Sequence, residues 1–354
     1  MKRIRKMFAL VITLTTVFSL AACGTTSTSS GSSNAESSSA PSGETIIMRI
    51  GHGSAAGSAR DLACERMAEV IEEESGGKID CQVYPANSLG SVMELIQGVQ
   101  TNTIECTVQP ISQTAGFQPL CTIMDIPYCL PTNYEDLTAI LDGPVGEALN
   151  SAMEEVGIKN LSYWYSGFKD FTANSPLDTP ESFKGLKFRS MSSAILMAQY
   201  EVVGATPVYI DFSETYNALS TGAVDGQDNP PDTTTDMNFQ EVQKYAVLSN
   251  HGNLQLGCLV SKAWFDGLSE DLQAAVIKGA EEGQKVCYEE TCEKIETGLQ
   301  KMKDAGMVIK ELSEEELKEW AAAFEPVSDV YLENTGEAGQ KLMTLVDEEI
   351  AKLS

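Results

Sequence analysis

The chain has few of the groups that enzymes use for acid–base or nucleophilic chemistry. Its 354 residues include only two histidines, His52 and His251, and no Gly-x-Ser-x-Gly, His-Glu-x-x-His, Walker A or Gly-x-Gly-x-x-Gly motif. These absences argue against a triad hydrolase, a zinc protease, a P-loop nucleotidase and a dinucleotide-dependent enzyme. The sequence therefore predicts a protein that is not an enzyme and that has no metal and no cofactor.

Positive charge is also scarce. The chain carries 24 lysines and arginines against 51 aspartates and glutamates, which gives a formal charge of −27. So acidic a surface disfavours binding to nucleic acid and to anionic lipid head groups. Such a protein can bind an anion only where it gathers its few positive groups and backbone donors in a cleft.

Arginine is the scarcer of the two cations in the body of the chain, because Arg189 is the only one after residue 66. It ends a short predicted strand, residues 186–189. A planar guanidinium group donates two parallel hydrogen bonds to a carboxylate, which an ammonium group does not. The sequence therefore favours Arg189 as the group that binds an organic acid. The alternative is an ion pair with one of the chain's many acidic side chains.

Only the N-terminus contains a long apolar run, and that run has the length of a secretory signal rather than a membrane span. Residues 1–23 are predicted to be a signal peptide, in which basic residues precede the apolar stretch 7–20. Leu20-Ala21-Ala22-Cys23 resembles the lipobox of bacterial lipoproteins, which implies a lipid on Cys23. Residues 24–43 are rich in Ser, Thr and Gly and are predicted to form a flexible linker. We therefore expect a lipid-anchored, extracytoplasmic protein, and an ordinary cleaved signal is the alternative.

Eight cysteines remain after Cys23, and none shows the Cys-x2-Cys spacing of a zinc or redox site. An even count in an exported protein leaves disulfides open. Several of these cysteines, such as Cys81 between Ile79 and Val83, lie in apolar or alternating runs. That setting favours free thiols that behave as small hydrophobic side chains.

From residue 44 the pattern alternates between strands and helices. Strands are predicted at 46–51, 78–84, 104–108 and 161–165, and helices at 59–74, after the capping box Ser91–Glu94, and at 134–156. A second unit has strands at 186–189, 206–210 and 223–227, helices at 194–203 and 214–220 with Ser213 as N-cap, and a long helix at 269–306, broken at Gly279 and Gly283. Such βα alternation predicts mainly parallel sheets covered by helices.

A second polar cluster lies near the predicted cleft, in residues 222–230. Asn229 precedes Pro230, which restricts its backbone to extended conformations and so fixes the direction of its amide. Phe212 precedes the helix before this cluster and is a candidate to close over a bound molecule. His52 follows the first strand, where it is expected either to cap the next helix or to contact a ligand.

At this point the sequence resembles the solute-binding proteins of TRAP (tripartite ATP-independent periplasmic) transporters. The resemblance runs from about residue 46 to the C-terminus. It is carried by residues 76–79, 84–90, 125–128, 183–189, 204–207, 212–219 and 222–230. It implies two α/β lobes of the periplasmic-binding-protein type that close on an organic acid, with a long helix crossing both. The predicted lobes are 44–167 with about 253–295, and about 168–252 with 296–354.

The resemblance also implies roles for individual residues. Arg189 is expected to form a bidentate salt bridge with the ligand carboxylate, and Asn229, Phe212, His52 and Gln113 are expected to line the site. The family often has a second arginine in a Gly-x-Arg segment, which reads Gly167-Phe168-Lys169 here. Lysine keeps the charge but loses the planar geometry.

We therefore expect a receptor that delivers a small organic acid to TRAP membrane subunits and that is monomeric. Sugar acids, dicarboxylates and oxo acids all fit one arginine with a polar lining. A sugar acid is slightly favoured, because its hydroxyls would use His52, Gln109, Gln113, Lys169 and Asn229. The alternatives are a solute-binding lipoprotein of an ABC importer and, from another class, a secreted enzyme or adhesin.

Overall fold

The computed structural model describes residues 45–353. The predicted signal peptide, Cys23 and the linker 24–43 lie outside the described residues. Within the described part, no helix combines the length and the apolar character needed to cross a membrane.

Residues 45–353 contain eleven strands and eleven α-helices. The strands are β1 (Ile46–Gly51), β2 (Ile79–Tyr84), β3 (Cys106–Pro110), β4 (Ile158–Trp164), β5 (Phe168–Ala173), β6 (Lys187–Ser190), β7 (Thr206–Tyr209), β8 (Gly226–Asn229), β9 (Tyr245–Asn253), β10 (Leu256–Ser261) and β11 (Val308–Glu311). The helices are α1 (Ala59–Glu74), α2 (Val92–Gln100), α3 (Tyr134–Leu141), α4 (Pro144–Glu155), α5 (Ala194–Glu201), α6 (Thr215–Ser220), α7 (Pro231–Asp236), α8 (Lys262–Asp266), α9 (Glu270–Asp304), α10 (Glu314–Phe324) and α11 (Val327–Ile350).

Two sheets form the two lobes. The first has the strand order β2-β1-β3-β10-β4, in which β1 pairs in parallel with β2 and β3 while β10 runs antiparallel to both its neighbours. The second has the order β11-β9-β5-β8-β6-β7, in which β5 runs antiparallel to β8 and β9 and the other pairs are parallel. The prediction of two α/β lobes is confirmed.

Each sheet is mainly parallel, as predicted, but contains one antiparallel strand, β10 in the first sheet and β5 in the second. The sequence reading missed β5, β9 and β10, which carry the chain from one sheet to the other. Only residues 165–167 separate β4 from β5, and only 254–255 separate β9 from β10. Each of these short links joins strands of different sheets, and the strands β5 and β10 that they lead into run antiparallel to both their neighbours.

The long helix α9 runs for 35 residues without a break, so the interruption predicted at Gly279 and Gly283 is wrong. These glycines allow close packing. A Cβ atom at Gly283 would lie 2.6 Å from the Trp164 ring of the first lobe, and one at Gly298 would lie 2.8 Å from the carbonyl oxygen of Pro231 at the start of α7. Helix α9 therefore packs against elements of both lobes, as predicted for the long helix.

Two local predictions about helices are wrong. The single helix expected at 134–156 is two helices, α3 and α4, because Gly143 is extended and Pro144 takes the first helical position of α4. Ser213 is not an N-cap, because it lies within the 3-10 turn Phe212–Glu214, where the Asp211 side chain accepts from the Ser213 N–H. The capping box at Ser91 and Glu94 is confirmed.

All eight cysteines of the described residues are free, as the sequence analysis favoured. Cys64, Cys106, Cys258 and Cys287 belong to the apolar core around the first sheet, with Trp164. Burial raises the pKa of the Cys287 thiol to about 12, so this group stays uncharged. These thiols act in packing.

Candidate functional site

A small pocket lies where strands of both sheets end. The first lobe contributes the ends of β1 and β3, and the second contributes those of β6 and β8. Ligand sites of open α/β sheets lie beyond the carboxyl ends of the strands. Five of the predicted site residues line this pocket, namely Arg189, Asn229, Phe212, Gln109 and Gln113.

Arg189 presents a partly unoccupied guanidinium group to the pocket. It lies on β6, its side chain is 1% exposed, and its Nε donates to the carbonyl oxygen of Ile210 at 3.0 Å. Its buried Nη2 has no hydrogen-bond partner among the described residues. Burial lowers the pKa of this guanidinium, which remains a cation. A buried cation with a free donor is a strong site for a carboxylate.

Asn229 is held by a chain of amides and hydroxyls across the second sheet. Its Nδ2 donates to Gln227 Oε1. The Gln227 Nε2 donates to Thr172 Oγ1 at 2.9 Å, and that hydroxyl donates to Gln243 Oε1 at 3.0 Å. The network fixes the Asn229 side chain before any ligand arrives. Its Oδ1 atom is the acceptor that this fixed side chain can offer to a ligand.

Two glutamines of the first lobe add acceptors to the pocket wall. Gln109 lies on β3, and its Nε2 donates to Thr107 Oγ1 at 3.1 Å. Gln113 lies on the 3-10 turn that follows β3. The Oε1 atoms of both side chains are buried and have no donor among residues 45–353. A ligand with hydroxyl or N–H groups would satisfy them.

Phe212 covers Arg189 from one side. Its ring centroid lies 5.8 Å from the guanidinium carbon, a cation–π distance. Val92, Pro110, Met191 and Leu254 form the apolar part of the wall. These side chains keep water from the arginine and so strengthen its attraction for an anion.

His52 is not among the residues that line the pocket. Its ring is fully buried, and Nε2 is 3.0 Å from Asp61 Oδ1, while Asp61 Oδ2 accepts from the Gly57 N–H at 2.7 Å. Burial, and then the charge of Arg60, lowers the pKa of His52 to about 4, so the ring is neutral at pH 7. This contact links the end of β1 to the start of α1. It is a structural contact, as in the alternative to ligand binding that the sequence left open for His52.

Lys169 does not line the pocket either, and its side chain forms an ion pair with Asp228. Its Nζ lies 3.1 Å from Asp228 Oδ2, and both side chains are almost fully buried. Asp228 also accepts from Tyr200 Oη at 2.7 Å and is 3.4 Å from His251 Nε2. Burial alone would raise the pKa of Asp228, but Lys169 and His251 hold it well below its usual range. The predicted second cation of the site is thus committed to an internal ion pair.

Arg60 is the charged residue of the pocket wall that the sequence analysis did not predict. It lies in the first turn of α1 and is 8% exposed. It lines the pocket with Arg189 and also an adjoining pocket with Ser58, Ser166 and Asp232. An arginine near the start of a helix looks like a surface residue in the sequence. Only its early position in the helix, next to the predicted strand end, could have drawn attention to it.

Comparisons with known proteins agree with this architecture. The sequence model of the family described as "Bacterial extracellular solute-binding protein, family 7" matches residues 50–334. The C4-dicarboxylate-binding periplasmic protein DctP of Rhodobacter capsulatus is 35% identical over 298 residues, or 83% of this chain and 88% of that protein. The 2,3-diketo-L-gulonate-binding periplasmic protein YiaO of Escherichia coli is 31% identical over 307 residues, or 85% of this chain and 91% of that protein.

A solved structure also has this fold. A TRAP periplasmic solute-binding protein from Desulfovibrio salexigens with bound orotic acid superposes with a TM-score of 0.85 at 32% identity, and covers 88% of this chain and 100% of that chain. The family model, the relatives and this structure agree over most of the chain. The chain belongs to family 7 of the bacterial extracellular solute-binding proteins, and within it to the solute-binding proteins of TRAP transporters.

Proposed function

We propose that this protein is an extracytoplasmic receptor that captures a small organic acid through a salt bridge between Arg189 and the ligand carboxylate. The observation that carries the proposal is the buried, unpartnered Nη2 of Arg189 at the pocket wall. A charged donor that is kept dry and free in the unliganded protein costs folding free energy, and a carboxylate would repay that cost by a charge-assisted bond.

The pocket favours an acid that also carries hydrogen-bond donors. Buried acceptors on Gln109 and Gln113 lack donors among the described residues, and Asn229 Oδ1 is available beside them. Two relatives are named for binding C4-dicarboxylates and 2,3-diketo-L-gulonate, and the Desulfovibrio protein holds orotic acid. All of these ligands are small acids, and the two named sugar and pyrimidine acids carry hydroxyl or N–H groups as well.

Delivery to a TRAP permease follows from the family and completes the proposal. The protein would be a monomer attached to the membrane by a lipid on Cys23 and would return its ligand unchanged to the membrane subunits. Ligand contacts from both lobes would favour the closed state, because a ligand shifts a conformational equilibrium only through differential contacts.

A thermal-shift screen against organic acids tests the capture step. A ligand at one hundred times its dissociation constant should add about 2.7 kcal/mol of stability, which moves the midpoint by several degrees. Mass spectrometry of the ligand after incubation should recover it unchanged, and vesicles with the TRAP subunits should take it up only with this protein. If no acid of a broad panel shifts ligand-free protein, or if the bound acid is turned over, the proposal fails.

A further inference from the structure

We infer that Asp125 is a positioning residue of the ligand site, because its carboxylate joins the turn that carries Gln113 to the segment that follows Arg189. This inference rests on the proposed function and adds to it a group that acts through others. Asp125 ends the 3-10 helix Pro119–Asp125, between β3 and β4 in the chain, and is 1% exposed. It is not among the residues that line the pocket.

Each oxygen of the Asp125 carboxylate accepts a hydrogen bond from a buried serine, and the two serines belong to different lobes. Oδ1 accepts from Ser112 Oγ, and Oδ2 accepts from Ser193 Oγ at 2.8 Å. Ser112 lies on the 3-10 turn after β3 of the first sheet, and Ser193 is the N-cap of α5, after β6 of the second sheet. Burial raises the pKa of Asp125, whereas Lys169 and the two hydroxyls oppose that shift. Because a charged acceptor strengthens both bonds, the carboxylate holds the two serines at a fixed separation.

Both serines are close in the chain to residues that line the pocket. Gln113 follows the first serine on its turn, lines the pocket, and has a buried Oε1 without a donor among the described residues. Met191 and Arg189 precede the second serine by two and four residues, and both line the pocket. Asp125 therefore sets the separation between an acceptor from the first lobe and the guanidinium from the second.

The chain that continues from this carboxylate, residues 126–128, is also bonded to the second sheet. The Tyr128 N–H donates to the carbonyl oxygen of His251 at 2.8 Å, and the Tyr128 hydroxyl donates to that of Ser249 at 3.3 Å. Tyr128 has a φ of 59°, in the left-handed region that a bulky side chain adopts only when its surroundings enforce it. The connection between the lobes at this point is thus held in one conformation by contacts on both sides.

The connection matters for binding because the ligand needs both walls at once. An acid held by Arg189 also reaches the Gln113 acceptor only when the two walls have the right separation. A site that is fixed before the ligand arrives binds more tightly, because less ordering is needed on binding. Loss of either serine link would let the walls shift while every pocket-lining side chain stays in place. Affinity should therefore fall although no group that contacts the ligand is removed.

Isothermal titration on the full chain tests this expectation. Orotate, succinate, D-galactonate and D-glucuronate are the probes, and the acid that the parent binds most tightly is used for every variant. Ser112→Ala and Ser193→Ala should each weaken binding by about three- to tenfold. The double variant should bind about as well as the weaker single variant, because either loss uncouples the walls.

Two substitutions of the carboxylate separate its bonds from its charge. Asp125→Leu removes both bonds and should weaken binding at least about tenfold. Asp125→Asn should stay within about threefold of the parent, because an amide accepts from one hydroxyl and donates to the other. The conservative variant thus retains the connection without the charge.

Gln113→Leu provides a readout that a purely structural serine would not change. In the Gln113→Leu background, Ser112→Ala should cause little further loss of affinity, because the group that it positions is gone. Such non-additivity is the signature of two residues that act together.

Ser75→Ala is the matched control for stability. Ser75 is 5% exposed, its Oγ donates to the carbonyl oxygen of Glu72 at 3.2 Å, and it accepts from the Ile79 N–H at 3.2 Å. It precedes β2 and so lies at the end of the first sheet opposite to the pocket. This variant should lower the melting temperature about as much as the other serine variants and leave the affinity unchanged.

Three outcomes overturn the inference. The first is parental affinity in Ser112→Ala or in Ser193→Ala, and the second is an equal loss of affinity in Ser75→Ala. The third is a loss from Ser112→Ala that is the same with and without Gln113. In these cases Arg189→Gln still loses binding and the proposed function stands. Failure of the parent to bind any acid of a broad panel would instead remove the proposed function, and this inference with it.

Discussion

Two groups of buried charge lie on the second sheet, and they differ in one respect. In the first group, Lys169 and Asp228 form an ion pair, and the ring of His251, which burial keeps neutral by lowering its pKa to about 4, contacts the same carboxylate. In the second, Arg189 faces a pocket with a free Nη2. Asp228 belongs to the first group, and the next residue, Asn229, lines the pocket of the second. Because the two are consecutive on β8, their side chains point to opposite faces of the strand. The difference teaches that a satisfied charge serves the fold, whereas an unsatisfied one at a pocket is available to a ligand.

The largest effect on stability is expected from removing the charge of Asp228 in the first group. Asp228→Asn should lower the free energy of unfolding by about 3–5 kcal/mol, because it leaves the buried Lys169 ammonium without its counterion. Chemical denaturation monitored by circular dichroism measures this loss. The double variant Lys169→Met with Asp228→Asn is the control and should be more stable than the single variant. A single variant as stable as the parent would contradict a structural role for the pair.

Breaking the unsatisfied group should affect binding and leave folding almost intact. Arg189→Gln should weaken binding of any acid that the parent protein captures by at least about one hundredfold, because the charge-assisted bonds are lost in a dry pocket. Its unfolding midpoint without ligand should stay close to that of the parent, since the substitution removes only the hydrogen bond to Ile210 and the cation–π contact with Phe212. Titration calorimetry with a hit from the screen measures the affinity. Near-parental affinity would remove Arg189 from the site.

The pH dependence of stability should differ in sign between two buried aspartates of the second sheet, Asp170 and Asp228. Burial raises the pKa of Asp170 to about 7, although the Asn250 and Ser249 amides oppose the shift. The unfolded chain ionises this group near pH 4, so Asp170 destabilises the fold increasingly as pH rises from about 4 to about 7. Asp170→Asn should therefore gain in melting temperature relative to the parent across that range and no further above it.

Asp228 should show the opposite sign. Its folded-state pKa is lowered, so the stability that its charge provides is present above about pH 4 and is lost as pH falls below that value. The deficit of Asp228→Asn relative to the parent should therefore shrink in acid. A deficit that is constant from pH 7 to pH 3 would contradict the charge pairing.

The smallest effect is expected at Phe212. Phe212→Leu keeps an apolar cover over Arg189 but removes the cation–π contact at 5.8 Å. Ligand affinity should change by about 0.5–1 kcal/mol, which titration calorimetry resolves. Tyr216→Leu is the control, because that ring lies nearby on α6 and bonds Glu241 instead. Equal effects of the two substitutions would argue against a specific role for the Phe212 ring.

Local signals in the sequence predicted the elements that obey local rules. Helix α1 and strand β1 have the predicted bounds, because an apolar face of period 3.6 and an extended apolar run each specify one structure. The break between α3 and α4 was also local, in Gly143-Pro144, and was overlooked. Strands β5, β9 and β10 were missed for another reason. They are buried among strands from distant parts of the chain, and the polar His251 of β9, for example, contacts Asp228 of β8.

The sequence by itself predicted the two lobes and singled out Arg189, which the structure places at the pocket wall. Composition, periodicity and the resemblance to a family carry that information residue by residue. The tertiary structure alone decided which cations are free. The sequence offered Lys169 as a ligand contact and did not single out Arg60. In the structure Lys169 forms an ion pair with Asp228, whereas Arg60 lines the pocket and forms no ion pair within the described residues. The reason is physical: whether a buried charge is satisfied depends on groups within a few ångströms in space, and the chain brings those groups together only when it folds.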